Sequence, residues 1–435
     1  MFCDTDKELQ QNSAKFWQPY LPSNNTVLYQ GPLFELSKNG ELKERKYKLT
    51  DSFLLKSMIG SHKVKKMTNV NWKRIEPFIE ENCVNSFYGF RVGYKDCYRD
   101  FYVDSQETLD IWLGHLAKVG IMPDIEDDFI FIREIGKGNY ATVFLAESKE
   151  DYRKYAIKRI QKSRISAMTN GINSIVREID IMRKLDHPNI VKLYNVYEND
   201  SEICLVLDYL EGGNLYERIN QKKRFSEATI RTFAIRFFDV LSYLDSMHIV
   251  HRDIKLENII LTSKSNDFEF KLADFGIADY CKENLTLRCG SPGYIAPEIL
   301  RKDVYNTKVD VFSAGVVLYI LFCGKMPFFG TNVNEILLKN KECHIHFYDY
   351  EWRQASKEFI SVILNVTEPA PRERLTAKQS LEFDWFSLDL PSRRSSHSSV
   401  HENPLNQNLA INEDQKPRCL SKGNKCSDIK GNAKI

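Results

Sequence analysis

The chain of 435 residues has no uninterrupted run of eighteen apolar residues, although 43% of its residues are hydrophobic. A transmembrane helix needs about 20 such residues in a row, so we expect none. The 61 lysines and arginines almost balance the 59 aspartates and glutamates, which gives no charge signal for nucleic-acid binding. The polar N-terminus, MFCDTDKELQQ, is unlike a secretory signal, and Phe2 excludes N-myristoylation, which requires glycine at that place.

The ten cysteines form no Cys-x-x-Cys pair and have no histidine at zinc-site spacing. Reduced thiols in the cytosol are therefore expected, and we predict a cytoplasmic protein. No aromatic residue follows Phe386, and RRSSHSS leads into a tail rich in Asn, Lys and Ser. Such a composition cannot build a core, so it predicts disorder over residues 387–435.

Four further segments precede this tail: a polar lead (1–24), a β-rich unit (25–120), a linker (121–128) and a long mixed segment (129–386). In the β-rich unit, apolar alternation in VLYQGPLFEL is followed by Asn39-Gly40, a strong hairpin signal, and then by KYKLTDSFLL. FYGFRVGY and YRDFYV predict further strands. Ser105 can cap a helix after them, and the apolar side of that helix carries Leu109, Trp112, Leu113 and Leu116.

Strands followed by one amphipathic helix with a buried Trp112 resemble a pleckstrin homology domain, which implies a small β-barrel closed by a helix. That family often holds phosphoinositide head groups with basic residues of the first hairpin, here Lys43 and Arg45. Glu35 stands where a lysine would be expected, and a carboxylate repels phosphate. The β-rich unit therefore has three possible roles: recruitment to a phosphoinositide membrane, docking of another protein, or inhibition of the rest of the chain.

Six short motifs occur in order between residues 129 and 386. IREIGKGNYATVFLA, with two closely spaced glycines, is followed by YAIK, in which Lys158 ends an apolar strand. SIVREIDIMRKL predicts an amphipathic helix, where Glu178 among apolar neighbours needs a cation, and Lys158 is the candidate. HRDIKLENII, KLADFGIAD and CGSPGYIAPEIL complete the series. This ordered set resembles the eukaryotic protein kinase signature.

The resemblance implies an α+β, bilobal kinase fold, with a β-rich small lobe and a helical large lobe, for about three fifths of the chain. It implies transfer of the γ-phosphate of ATP to protein hydroxyls, with Mg²⁺ as the metal. Asp253 would orient or accept the substrate proton, and Lys255 would steady the transferred phosphate. Asn258, the third expected catalytic residue, and Asp274 would hold the metal.

The same resemblance implies that Lys158 grips the α- and β-phosphates and is oriented by Glu178. The other implied nucleotide contacts are Ile135, Gly136, Gly138, Val143, Ala156, Asp208, Leu210 and Ile260. His251 is expected to pack under Phe275 and to have a structural role. Further implied contacts are those of the Ser291 hydroxyl with Asp253 and Lys255, and a buried ion pair between Glu298 and Arg374.

Lys255, at the second place after Asp253, matches serine/threonine kinases, so protein substrates are expected. YILFCGKMPFF and CGSPGYIAPEIL resemble the calcium/calmodulin-dependent group. The tail nevertheless lacks the aromatic anchors and basic amphipathic helix that calmodulin binding requires, so we do not expect it. Asn214 replaces a glutamate of many relatives, which weakens the preference for basic substrates that Glu257 implies.

Two interpretations of other classes compete: a pseudokinase scaffold, which the intact catalytic residues argue against, and a phosphoinositide adaptor with secondary kinase activity. Kinases with arginine before the catalytic aspartate, here Arg252, commonly neutralise it with an activation-loop phosphate. The corresponding position is Leu287, which cannot be phosphorylated, and the neighbouring Thr286 would point elsewhere in an extended chain. We therefore predict that basal activity does not require loop phosphorylation, and that control lies in the 25–120 unit or the tail.

Overall fold

The computed structural model describes residues 17–18, 26–57, 64–81, 86–94, 97–138, 141–166, 171–281, 285–348 and 350–387. The predicted disordered tail lies outside these residues, apart from Ser387. None of the described helices is both long and apolar enough to cross a bilayer. Six cysteines lie among the described residues, all of them as free thiols.

The strands are β1 (Trp17–Gln18), β2 (Val27–Leu36), β3 (Leu42–Thr50), β4 (Phe53–Ser57), β5 (Val64–Asn69), β6 (Arg74–Glu81), β7 (Ser86–Tyr94), β8 (Cys97–Val103), β9 (Phe129–Lys137), β10 (Ala141–Ser148), β11 (Lys154–Gln161), β12 (Leu193–Glu198), β13 (Glu202–Asp208), β14 (Ile249–Val250), β15 (Ile259–Leu261), β16 (Phe270–Leu272) and β17 (Asp279–Tyr280). The α-helices are α1 (Gln106–Leu116), α2 (Ile125–Asp128), α3 (Lys162–Ser166), α4 (Gly171–Lys184), α5 (Leu215–Lys222), α6 (Glu227–Ser246), α7 (Pro297–Arg301), α8 (Lys308–Cys323), α9 (Val333–Glu342), α10 (Lys357–Val366) and α11 (Ala377–Ser380).

The N-terminal unit is an antiparallel sheet in the order β1-β5-β4-β3-β2-β8-β7-β6. Its β2–β3 hairpin turns at Gly40, whose φ of 79° is in the left-handed region that favours glycine. KYKLTDSFLL, which was expected to have strand character, is divided between β3 and β4. The reason is local: the Thr50 hydroxyl accepts a hydrogen bond from the Phe53 N–H at 3.0 Å and so forms a turn.

Helix α1 closes this sheet as the sequence predicted. The Ser105 hydroxyl accepts a hydrogen bond from the Thr108 N–H at 3.2 Å and caps the helix. Leu109, Trp112 and Leu116 are buried, whereas the predicted core residue Leu113 is half-buried. The structure thus contains a β-rich unit with a helix whose tryptophan belongs to the core.

The segment expected to be a linker joins the two sheets through its backbone. Ile121 exchanges hydrogen bonds with the β6 side of the N-terminal unit, donating to the Lys73 carbonyl and accepting from the Ile75 N–H, each at 2.9 Å. Met122 hydrogen-bonds to β12 of the next sheet: its N–H donates to the Val196 carbonyl, and its carbonyl accepts from the Glu198 N–H. Four backbone hydrogen bonds therefore fix the N-terminal unit to the edge of the next sheet.

The C-terminal domain has a small and a large lobe. The small lobe is a sheet in the order β12-β13-β11-β10-β9, with α4 beside it. The large lobe is helical and centres on α8, in which every residue after Lys308 is buried. A helix that is apolar on all sides belongs in a core.

A buried ion pair stabilises the large lobe and confirms the prediction for Glu298 and Arg374. The two guanidinium Nη atoms donate to the two carboxylate oxygens at 2.6 and 2.9 Å. Both side chains are almost fully buried. Phe312 packs below the same guanidinium, at 5.0 Å from its ring centre.

Candidate active site

Lys158 lies on β11, directly across the ladder from Val143 of β10. Its Nζ atom is 2.6 Å from Glu178 Oε1 of helix α4 and 3.3 Å from Asp274 Oδ1. The predicted pairing of Lys158 with Glu178 is confirmed. Burial alone would lower the pKa of Lys158, but the two carboxylates raise it well above its usual range, so the amine is charged at neutral pH.

Gly136 and Gly138 lie at the end of β9, and residues 139–140 between the strands are outside the described residues. Neither glycine has a left-handed backbone, and an added Cβ would come no closer than 3.7 Å to Val143 at Gly136 or 3.5 Å to the Ala141 carbonyl at Gly138. The fold therefore does not itself require glycine at these places. A backbone that must lie close to a bound phosphate would require it.

The expected apolar nucleotide contacts come from both lobes. Val143 and Ile260 are half-buried, Ala156 on β11 is buried, and Ile135 near the end of β9 is exposed. Ile260 forms a β-bridge with Asn214.

The connection between the lobes carries the expected residues Asp208 and Leu210. The Asp208 carboxylate lies 2.7 Å from Lys271 Nζ and accepts a hydrogen bond from the Tyr194 hydroxyl at 2.9 Å. The side chain of Asp208 is thus used within the chain, and its backbone N–H donates to the Lys192 carbonyl at 3.2 Å. Leu210 is half-buried at the same connection.

Asp253, which is only 3% exposed, is the centre of a polar network. Its Oδ1 accepts a hydrogen bond from the Ser291 hydroxyl at 2.7 Å, and its Oδ2 lies 2.9 Å from Lys255 Nζ. Lys255 also donates to Ser291 at 2.9 Å. The predicted contacts of Ser291 are thus confirmed, and both carboxylate oxygens are held in one orientation.

Asn258 and Asp274 come together because the β15–β16 hairpin places Ile259 opposite Leu272. The Asn258 amide nitrogen donates to the Asp253 backbone carbonyl at 2.8 Å and to its carboxylate at 3.2 Å. This orientation leaves the amide oxygen of Asn258 as an available ligand.

An amide oxygen and the carboxylate of Asp274 are hard ligands that suit Mg²⁺. The described residues contain no cluster of three or more His, Cys, Asp or Glu side chains arranged for a metal. A metal here would therefore take most of its ligands from phosphate and water, as Mg²⁺ does.

His251 has the expected structural position, with its ring centre 4.8 Å from that of buried Phe275. Its Nδ1 accepts from the Asp253 N–H at 3.2 Å, and its Nε2 faces the Ala273 carbonyl at 3.1 Å. Nδ1 must be unprotonated to accept and Nε2 must carry the proton to donate, so the ring is neutral. It fixes the backbone of Asp253.

Sequence reasoning missed Asp310, which lies on α8 far along the chain. Its carboxylate accepts hydrogen bonds from the backbone N–H groups of His251 at 2.6 Å and Arg252 at 2.9 Å. The only signal in the sequence was an acidic residue among apolar ones in VDVFSAG. A buried carboxylate requires donors, but nothing local indicates which donors they are.

Comparison with protein-family models matches residues 129–386 to the protein kinase domain. The chain belongs to the protein kinase family. It is 36% identical over 295 residues to "Probable serine/threonine-protein kinase 2" of Plasmodium falciparum, covering 67% of this chain and 56% of that protein. It is 35% identical over 267 residues to myosin light chain kinase A of Dictyostelium discoideum, covering 61% of this chain and 90% of that protein.

A third relative is the calcium/calmodulin-dependent protein kinase type 1 of Macrobrachium nipponense, 35% identical over 296 residues, which cover 67% of this chain and 84% of that protein. The kinase domain is therefore that of a serine/threonine protein kinase. Each of the three alignments is shorter than this chain of 435 residues.

Proposed function

We propose that this chain is an ATP-dependent serine/threonine protein kinase whose N-terminal unit supports the active position of helix α4. The observation that carries the proposal is that Lys158 contacts both Glu178 and Asp274 while Asp253 is held by Lys255 and Ser291. Phosphoryl transfer depends on placement and charge stabilisation more than on covalent participation by the protein. Both are available in this arrangement.

Asp253 orients the substrate hydroxyl and accepts its proton, with a carboxylate fixed by hydrogen bonds to both oxygens. Lys255, held between Asp253 and Ser291, puts a positive charge next to that carboxylate, where it stabilises charge on the transferred group. Because Ser291 and Lys255 are bonded to each other as well as to Asp253, a loss of either loosens the whole network.

Lys158 binds the α- and β-phosphates, and Glu178 fixes the direction of its amine. The glycines of the β9–β10 hairpin allow the backbone to lie against the phosphates. When bound, Mg²⁺ neutralises phosphate charge, and Asn258 with Asp274 would hold it. Val143, Ala156 and Ile260 give the adenine ring apolar contacts.

Substrate selection is argued from two positions near the catalytic loop. Glu257 is exposed beside that loop and can attract a basic residue of the substrate. Asn214, in contrast, is used as the N-cap of α5, where its side chain accepts a hydrogen bond from the Glu217 N–H at 2.8 Å. We therefore propose protein substrates with serine or threonine acceptors and a weak preference for nearby basic residues.

Activity is tested by transfer of radiolabelled phosphate to a degenerate peptide library, with Asp253→Asn and Lys158→Met as variants. We expect each to lose activity by roughly a hundred- to a thousandfold or more, since one removes the carboxylate that accepts the substrate proton and the other removes the charge at the α- and β-phosphates. Lys154→Met on the same strand and Asp200→Asn, both exposed, are matched controls. Full activity in a folded Asp253→Asn protein would contradict the proposal, and circular dichroism reports folding.

The role of the N-terminal unit rests on its contacts with Arg183, near the end of α4. One Nη atom donates to the Gly120 carbonyl at 2.5 Å and the other to Asn71 Oδ1 at 3.2 Å. The guanidinium also lies over the ring of Trp72, 5.1 Å from its centre. Since α4 carries Glu178, these contacts favour a unit that supports activity over one that inhibits it.

Phosphoinositide binding, which the resemblance to pleckstrin homology domains implied, has less support from the side chains of the first hairpin. Glu35 lies 2.6 Å from Arg99 Nη2 and also contacts Lys56, while the Tyr47 hydroxyl donates to it at 2.6 Å. Burial opposes ionisation, but these donors lower the pKa of Glu35 to about 2. The Glu35 carboxylate therefore already occupies the place between Lys56 and Arg99.

A further inference from the structure

The short strand β17, Asp279–Tyr280, lies just after the DFG motif and is used by none of the reaction steps above. It pairs with β14 so that Val250 lies opposite Asp279 and Ile249 opposite Tyr280. Val250 immediately precedes the catalytic loop. The backbone of β17 is therefore fixed to the strand that leads into that loop.

The Asp279 carboxylate lies between two arginines from different parts of the domain. Its Oδ2 is 3.1 Å from Arg252 Nη2, next to the catalytic Asp253. The same oxygen accepts a hydrogen bond from Arg177 Nη1 at 2.8 Å. Arg177 is the neighbour of Glu178 on α4. One carboxylate thus connects the catalytic loop with the helix that orients Lys158.

Each of the three nitrogen atoms of the Arg252 guanidinium has a partner within the chain. Its Nε donates to the Ile277 carbonyl at 2.6 Å, its Nη1 donates to the Tyr305 hydroxyl at 3.4 Å, and its Nη2 faces Asp279. The side chain is only 3% exposed. A phosphate arriving at Arg252 would have to displace one of these partners.

Tyr280 binds the same helix one turn further on. Its hydroxyl donates to Asp180 Oδ2 at 2.7 Å and accepts from Lys184 Nζ at 2.9 Å, and Lys184 is 2.7 Å from Asp180. Arg177, Asp180 and Lys184 are spaced three and four residues apart, so they share one face of α4. Both residues of β17 therefore hold that face.

In the described part of the activation segment, Leu287 stands where a phosphate acceptor would be expected, and the hydroxyl residue beside it is Thr286. Thr286 is exposed, and Leu287 is 62% exposed with its backbone carbonyl accepting from Tyr305 at 2.7 Å. Activation-loop phosphates act by pairing with arginines and ordering the segment. Here the corresponding arginine, Arg252, is already paired with the Asp279 carboxylate.

We propose that Asp279 is a positioning residue that supplies the negative charge other kinases obtain by loop phosphorylation, and that Tyr280 completes the clamp on α4. The clamp, Asp279 and Tyr280, holds Arg252 and Glu178 in their active positions without a modification. The proposal rests on the kinase function above. It predicts that the full chain is active with an unmodified Thr286.

The first test measures phosphate transfer by the full chain before and after treatment with a protein phosphatase, with mass spectrometry of Thr286. We expect an unchanged rate and an unphosphorylated Thr286. A rate that falls on treatment, and returns when Thr286 is phosphorylated again, would overturn the proposal. An inactive wild-type chain would instead refute the proposed function itself, so the two failures are distinct.

The second test uses Asp279→Asn, which keeps the shape and removes the charge. We expect kcat to fall roughly ten- to a hundredfold, the range of typical couplings between sites, with little change in the KM for peptide. Asp303→Asn, an exposed carboxylate, is the matched control and should keep the wild-type rate. Wild-type kcat in the folded Asp279→Asn protein would refute the proposal.

Rescue separates positioning from a general loss of stability. In Asp279→Ala, added formate should restore more of kcat than chloride at the same ionic strength, because a guanidinium forms short, charge-assisted hydrogen bonds with carboxylate oxygens. If Asp279 variants do not fold, Arg177→Gln cuts the contact to α4 alone and should also lower kcat. Equal rates with formate and chloride, or an Arg177→Gln protein with wild-type kcat, would count against the clamp.

Discussion

Replacing Arg183 by methionine tests whether the N-terminal unit and helix α4 are coupled. The change keeps an unbranched apolar chain and removes two hydrogen bonds, to Gly120 and Asn71, and the contact with the Trp72 ring. Burial lowers the pKa of Arg183 to about 10, so the lost group is charged at pH 7. A hydrogen bond from a charged group contributes about 1.5–3 kcal/mol, and a cation–π contact about 0.5–2 kcal/mol.

Because the cost of removing the guanidinium from water, which the lowered pKa reflects, offsets part of these contributions, we expect the variant to lose about 2–4 kcal/mol of docking free energy. Local opening of the joint should then increase by roughly 30- to 1000-fold. Hydrogen exchange measures this directly at the Ile121 and Met122 amides, which donate to the carbonyls of Lys73 and Val196. The rate of phosphate transfer should fall only severalfold, because the contacts of the clamp with Arg177, Asp180 and Lys184 still hold α4.

Arg353→Met, an exposed arginine of the large lobe, is the matched control and should change neither measurement. Unchanged exchange at Ile121 and Met122 in the Arg183→Met protein would refute the coupling. Faster hydrogen exchange with an unchanged rate of phosphate transfer would show that Arg183 stabilises the joint but does not affect catalysis.

Two further predictions concern buried charges. Glu35→Gln should gain salt-sensitive binding to phosphoinositide vesicles in sedimentation, because Lys56 and Arg99 lose their carboxylate partner. The pKa of Glu35 in the folded protein is about 2, below the ordinary 4.5, so the stability that its ionised form contributes is complete above pH 4.5 and is lost toward pH 2. Thermal melts of Glu35→Gln should therefore lack this loss of stability at low pH. Arg374→Met should cost about 3–5 kcal/mol by leaving Glu298 buried without a partner, whereas the double change with Glu298→Met should recover most of the Tm. Identical pH profiles for Glu35→Gln and wild type, or equal Tm for the single and double variants, would contradict them.

The kinase motifs made the centre of the site predictable, because each motif carries its functional residue at a fixed place. Lys158 with Glu178, and Ser291 with Asp253, are contacts that the motifs alone imply. The α1 helix was predictable from its cap and apolar spacing, although Leu113 proved half-buried. A turn at Thr50 was missed, since the strand pattern continues across it.

Contacts between distant residues that belong to no motif were not predictable. Arg177 and Asp279 are 102 positions apart, and Glu35 and Arg99 are 64 apart. Their charges look like those of solvated surface residues, and only the fold brings them together. Residues 121–128 show no strand pattern in the sequence, because only Ile121 and Met122 form the hydrogen bonds that join the two sheets, and two residues are too few to make a pattern.

The joint at Met122 also covers part of a sheet edge. Strand β12 is the outermost strand of the kinase sheet, and Met122 pairs with Val196 and Glu198 there. A shortened chain that begins at Phe129, where the family match begins, would leave these backbone groups open. Unpaired edges are templates for pairing between molecules, so such a fragment should self-associate as its concentration rises. A fragment that begins at residue 121 would keep the edge covered and remain monomeric at concentrations where the shorter one aggregates.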